Sequence, residues 1–126
     1  MPFFGVGLLH VNEKEVTMLI KLKDMEEVEL KAFQGGMYAL NAKIFTDGQN
    51  KILHGRLIPG ASVGMHRHET SSEIIFLLTG QAKSICDGQE ELLSPGDCHY
   101  CPKGSEHCLI NVGEEDVRFY AVVPQQ

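Results

Sequence analysis

A chain of 126 residues with 11 Lys+Arg against 17 Asp+Glu carries a formal charge of -6. That length suits one domain, and that charge repels nucleic-acid backbones and anionic lipid. With 43% hydrophobic and 22% charged residues, the composition is that of a folded globular domain and excludes disorder, collagen-like structure and coiled coil. The apolar stretches fall short of the roughly 20 residues a bilayer span needs. The opening segment, residues 1–9, lacks the basic region and cleavage site of a secretion leader. The cytoplasm is the expected location, with no nucleic acid and no membrane as partner. The thiols of Cys86, Cys98, Cys101 and Cys108 are expected to be reduced.

Residues 1–17 precede a second methionine, Met18. Residues 1–25 are expected as an N-terminal arm or edge strand, and residues 26–126 as one domain. Asp24–Ala32, rich in Glu and Lys, suits either a short helix or a solvated strand. Thr46-Asp47-Gly48-Gln49-Asn50 separates the strands 37–45 and 51–58, and Asp87-Gly88 separates 81–86 from 89–93. Asp-Gly supplies the positive φ of a tight type I′ turn, so both are hairpin tips. Further breaks fall at Pro59-Gly60, Ser94–Asp97, Pro102–Ser105 and Val112–Glu115. The short runs between these breaks predict an all-β sandwich or barrel. Ile74-Ile75-Phe76-Leu77-Leu78 is apolar on both alternating faces and is expected to be buried twice. One face would point into the barrel, the other against a second layer or a partner subunit, so a homodimer is expected.

The chemistry concentrates in His66-Arg67-His68. On a strand, residues i and i+2 share a face about 6.6 Å apart, close enough for two imidazoles to converge on one ion. A helix would splay them. Glu73 follows the polar turn Thr70-Ser71-Ser72 and, on an antiparallel return strand, would sit across from His68. His107, just after the 102–106 turn, is the candidate fourth ligand. Three imidazoles and a carboxylate suit Mn, Fe, Co, Ni, Cu or Zn rather than the all-oxygen preference of calcium or magnesium.

The wider spacing reads Gly60-x5-His66-x-His68-x4-Glu73-x6-Gly80 over residues 60–80, then Gly96-x5-Pro102-x-Gly104-x2-His107-x3-Asn111 over residues 96–111. These segments resemble the two signature motifs of the cupin superfamily, with every defining residue and spacing kept. The resemblance implies an antiparallel jelly-roll barrel (a double-stranded β-helix), commonly dimeric. It implies one divalent transition metal per chain on His66, His68, Glu73 and His107, and a structural role for Asn111.

Other candidates are weaker. His54 and Arg56 share a strand face; they either line the barrel, binding an anion or relaying a proton, or form a solvated or interfacial pair. Tyr100, His99 and Glu69 are within reach of the site, with a structural role the simpler reading. Cys98-His99-Tyr100-Cys101 lacks the second cysteine pair of a structural zinc site; buried free thiols are expected there. Cys108 is expected to face away from the metal. A six-coordinate ion with four protein ligands keeps two adjacent positions for a small oxygenated chelator, or for chelator plus O2. That favours a metalloenzyme, dioxygenase-like as the first assignment, with isomerase, decarboxylase and lyase chemistry also found on this fold. A non-catalytic, metal-mediated binder of a small molecule or sugar is the alternative.

Overall fold

The computed structural model describes residues 6–11 and 16–126. The expectation of an N-terminal arm falls partly on residues 1–5 and 12–15, which lie outside the described residues. Within that segment, β1 (Val6–Val11) and β2 (Val16–Ile20) pair antiparallel as a sheet of their own. Ten further strands follow: β3 (Val28–Lys31), β4 (Ala39–Thr46), β5 (Asn50–Leu57), β6 (Ser62–Arg67), β7 (Glu73–Thr79), β8 (Ala82–Cys86), β9 (Gln89–Leu93), β10 (Cys98–Cys101), β11 (Glu106–Asn111) and β12 (Val117–Pro124). They form a six-stranded sheet in the order β10-β7-β12-β5-β4-β3 and a four-stranded sheet in the order β6-β11-β8-β9. All pairings are antiparallel.

From β5 onward the chain passes back and forth between these sheets, only the β8–β9 hairpin staying within one. Alternation along each strand then aims every second side chain into the space between the sheets. Leu40, Leu53, Leu57, Ile75, Leu77, Leu109, Val117 and Phe119 meet there as one core. Burying each large apolar side chain contributes about 1.5–3 kcal/mol. Phe119 stands opposite Gly55 across the β12–β5 pair, and a Cβ at Gly55 would overlap its ring. The loop between β3 and β4 lies on β6: Met37 N donates to Ser62 Oγ at 2.8 Å, and a Cβ at Gly64 would overlap the carbonyl oxygen of Gln34.

Asp24–Ala32 resolves into a strand, β3, after a 3₁₀ turn at Leu22–Asp24. Pairing with β4 adds the segment to a sheet, whereas a helix this short and polar is marginal without a packed face. Asp87 (φ 47°) and Gly88 (φ 82°) make the type I′ turn. The other hairpin tip corrects the expectation. Only Gly48 takes a positive φ there, and Asp47 Oδ1 instead accepts from the N–H groups of Gln49 and Asn50 at 2.9 and 2.7 Å. An Asp side chain thus does the work of a tighter backbone turn.

Ile74–Leu78 also differs from expectation. Ile75 and Leu77 are buried, but Phe76 is 45% and Leu78 38% exposed. Among the described residues no second layer covers that outer face.

Candidate metal centre

β6 and β11 are neighbours, and their register sets His66 directly opposite His107. His68, one residue past the end of β6, shares the face of His66 by the two-residue period. Glu73 opens β7, which belongs to the opposite sheet and pairs with β10 and β12. The expected hairpin partnership of Glu73 with the histidine strand is therefore corrected. The carboxylate arrives across the barrel rather than along a ladder, because the chain changes sheet between β6 and β7.

The four side chains converge, with one ligand atom from each lying within 4.8 Å of the others. The Nε2 atoms form a triangle: His66 to His68 3.1 Å, His68 to His107 3.0 Å, His107 to His66 3.2 Å. Glu73 Oε1 lies 2.8 Å from His107 Nε2, 3.1 Å from His68 Nε2 and 3.9 Å from His66 Nε2. For metal–nitrogen bonds of about 2.1 Å, adjacent corners of an octahedron are about 3.0 Å apart and opposite corners about 4.2 Å. A tetrahedron would need equal edges. The three imidazole spacings and the two shorter Glu73 spacings match the adjacent-corner distance, so these four residues would fit around one such ion.

The other ring nitrogens are tied down. His66 Nδ1 contacts the Gly64 carbonyl at 2.7 Å, His68 Nδ1 contacts Ser71 Oγ at 3.0 Å, and His107 Nδ1 meets His99 Nε2 at 2.9 Å. A carbonyl only accepts, so His66 donates through Nδ1 and its Nε2 keeps a lone pair for an ion when neutral. Such outer contacts orient ligand histidines.

Electrostatics favours the ligand forms at Glu73 and His107. Burial alone would raise the Glu73 carboxyl, but hydrogen bonds from His107, His66 and His68 outweigh it and hold it well below 4.5. Burial pushes His107 below 6.5 despite Glu73. His66 is half-buried, which would lower it, yet the Glu73 carboxylate and the Gly64 carbonyl raise it above 6.5.

The cluster opens on a cavity of about 90 Å³ between the sheets. Leu30, Leu53, Val63, Ile75 and Phe119 line it, and beside the four donors its polar wall groups are Lys51, Gln34 and Cys108. Lys51 and Cys108 are features that sequence reasoning did not foresee as lining. Cys108 is buried and borders the cavity, while the irregularity in the β6–β11 pair lies on β6, where Gly64 and Met65 stand opposite it.

His54, Arg56 and Tyr100 are not brought to this cavity. Leu53, Gly55 and Leu57 take the inner face of β5. His54 packs edge-on against Tyr120, with ring centroids 5.7 Å apart, and Arg56 pairs with Glu27 at 2.7 Å and Asp116 at 3.5 Å. Tyr100 is 57% exposed, and Glu69 is exposed as well. All four cysteines are free, but only Cys101 and Cys108 are buried, and Cys98 is exposed. Burial and the neighbouring Cys86 push the Cys101 thiol up to about 12.

Residues 53–123 match the family model described as Cupin domain. An oxalate-binding protein of Thermotoga maritima is 35% identical over 68 residues, covering 54% of this chain and 56% of the relative. An uncharacterized protein of Methanocaldococcus jannaschii is 30% identical over 67 residues, 52% of this chain and 54% of the relative. The match thus spans about half the length of these curated relatives. Among solved structures, a Thermotoga maritima protein described as a predicted oxalate decarboxylase superposes with a TM-score of 0.80 at 23% identity, covering 84% of this chain and 97% of that one. The Cnp3 cupin domain of Schizosaccharomyces pombe superposes with a TM-score of 0.72 at 14% identity, covering 89% and 77%. No helix among the described residues is long and apolar enough to cross a membrane. The fold, the two spaced motifs and the family match agree, and the chain belongs to the cupin family.

Proposed function

We propose that this chain is a cupin holding one divalent transition metal (Mn, Fe, Co, Ni, Cu or Zn) on His66, His68, Glu73 and His107, and acting on a small oxygenated metabolite that chelates it. The single observation that carries this reading is the convergence of three imidazoles and one carboxylate on one point; a six-coordinate ion held by these four would keep two adjacent positions for a ligand. Two oxygen atoms on neighbouring carbons match such a pair of positions. Bound there, the metal would supply Lewis-acid or redox chemistry. The apolar wall would exclude water, and Lys51 at the rim would favour an anionic ligand.

Dioxygenase chemistry is the first assignment, since among the described residues the cavity wall offers no further carboxylate or imidazole beside the four donors to run acid–base chemistry. Metal-mediated binding without turnover is the second reading, supported by the relative described as an oxalate-binding protein. We also propose residues 26–126 as one barrel domain with 1–25 as an arm. The exposed Phe76, Leu78 and Tyr120 would be covered by a second copy, and the free cysteines support a reducing, cytoplasmic setting.

Metal analysis of protein purified without added metal tests the reading. Close to one ion per chain is expected, largely lost in His66→Ala. O2 uptake with diketones or enediols would establish the dioxygenase; tight oxalate binding without uptake would establish the binder. Wild-type protein free of transition metal after incubation with each of the six ions would refute the metal centre.

A further inference from the structure

His99 is almost fully buried, 3% exposed, in a protein whose proposed ligand set does not use it. It sits on β10, which pairs with β7 in the six-stranded sheet, yet its ring reaches the other sheet. There its Nε2 lies 2.9 Å from His107 Nδ1, and its Nδ1 lies 2.7 Å from Glu91 Oε1 on β9. The His99 and His107 ring planes differ by 19°, with centroids 5.2 Å apart. With nitrogens 2.9 Å apart, the rings meet edge to edge, the geometry of an in-plane N–H···N bond. Ser84 Oγ, fully buried, makes a longer contact to the same His99 nitrogen at 3.3 Å.

Donor and acceptor roles follow by elimination. If His107 Nε2 gives its lone pair to an ion, the neutral ring carries its proton on Nδ1 and must donate. The partner available is His99 Nε2, which must then accept. A neutral His99 accepting at Nε2 carries its own proton on Nδ1, and that proton needs an acceptor; Glu91 supplies one. The opposite polarity would place the His107 proton on Nε2 and block the metal position. All three groups therefore agree on one proton arrangement.

From this geometry we infer that Glu91 and His99 are positioning residues for the metal centre, a carboxylate–imidazole–imidazole chain that fixes the tautomer and aim of His107. The chain bridges both sheets and ends at the surface, where the Glu91 side chain is 54% exposed. It rests on the proposed metal reading, because its role is defined through His107 as a ligand. Ligand-supporting partners of this kind alter metal affinity by about 10–100-fold when removed.

The test is Co²⁺ titration of metal-stripped wild type, His99→Phe, His99→Gln and Glu91→Gln at fixed pH, with proton NMR of the Zn²⁺-loaded forms. His99→Phe should raise the Co²⁺ Kd about 10–100-fold. His99→Gln, whose amide oxygen still accepts from His107, should recover much of that loss. Glu91→Gln lies at an exposed position, so it keeps the test open if the His99→Phe protein fails to fold; its Kd should rise about tenfold, the lower end of that range. Beside the Nδ1–H protons of His66 and His68, wild type should show two further exchange-protected imidazole N–H protons, from His107 and His99. Both should vanish in His99→Phe, and the His99 proton should exchange faster in Glu91→Gln. A wild type that binds and variants within twofold of it would overturn this inference alone. A wild type that binds no metal would overturn the proposed function and this inference together.

Discussion

Asn111, the last residue of the second signature segment, is 2% exposed and touches no ligand. Its Nδ2 donates to the carbonyls of Leu57 and Glu115, both at 2.9 Å, and its Oδ1 accepts from Gly113 N at 2.9 Å. These bonds tie the end of β11 to the end of β5 and to the turn before β12. Asn111→Ala removes all of them and leaves two carbonyls and an N–H to find water. At about 1 kcal/mol net for each neutral hydrogen bond, the loss is about 3 kcal/mol. For a domain of this size that lowers Tm by about 10 °C. Urea unfolding of metal-free wild type and variant, read by circular dichroism, measures the difference without any contribution from bound ion. Asn111→Asp is the sharper arm. It keeps the acceptor for Gly113 but turns an oxygen toward both carbonyls, so it should be at least as unstable as the alanine variant. A loss of less than about 1 kcal/mol in both would refute the view that this motif position is a structural tie.

The remaining predictions concern pH, assembly and the cavity wall. An imidazole must shed its proton before it binds metal, and His66 is raised above 6.5. Zn²⁺ affinity should therefore start to fall while the pH is still above 6.5 and steepen below it; a flat profile from pH 8 to 6 would contradict the His66–Glu73 contact. In metal-free protein Glu73 sits below its ordinary 4.5, so the unfolded chain binds the extra proton. Glu73 then contributes stability above pH 4.5 that is lost as the pH drops through its folded value, a component absent from the unfolding profile of Glu73→Gln. Sedimentation should show a dimer that Phe76→Asp dissociates, given the outward Phe76–Tyr120 pair; a wild-type monomer would end that expectation. Gly64→Ala must lift the Gln34 segment off β6, costing about 1–3 kcal/mol as in other overpacked sites and opening the cavity that Gln34 lines.

What could be read from residues alone was whatever depends on near-neighbour spacing. The turn residues, the Asp87-Gly88 tip, the short strands and the His66–His68 pair on one face all follow from local backbone geometry. The polar turns on either side suggested Glu73 and His107 as further donors, and the matched motifs tied both to the histidine pair. What lay beyond reach was anything set by which sheet a strand enters. Glu73 crosses from the opposite sheet rather than facing His68 on a hairpin, because strand pairing is decided by long-range contacts that local sequence does not encode. The face of β5 carrying His54 and Arg56 turned outward because Leu53 and Leu57 claimed the core, a competition settled only when both sheets pack. Cys108 borders the cavity although the period of two along β11 sets His107 and Leu109 inward, a closeness that only the packed sheets produce. His99 was legible as a residue within reach of the site, with a structural role the simpler reading; its partnership with His107 and Glu91 exists because closure of the barrel brings β10, β9 and β11 together. Spacing along the chain therefore determined which donors were available, and packing of one sheet on the other decided which of them meet.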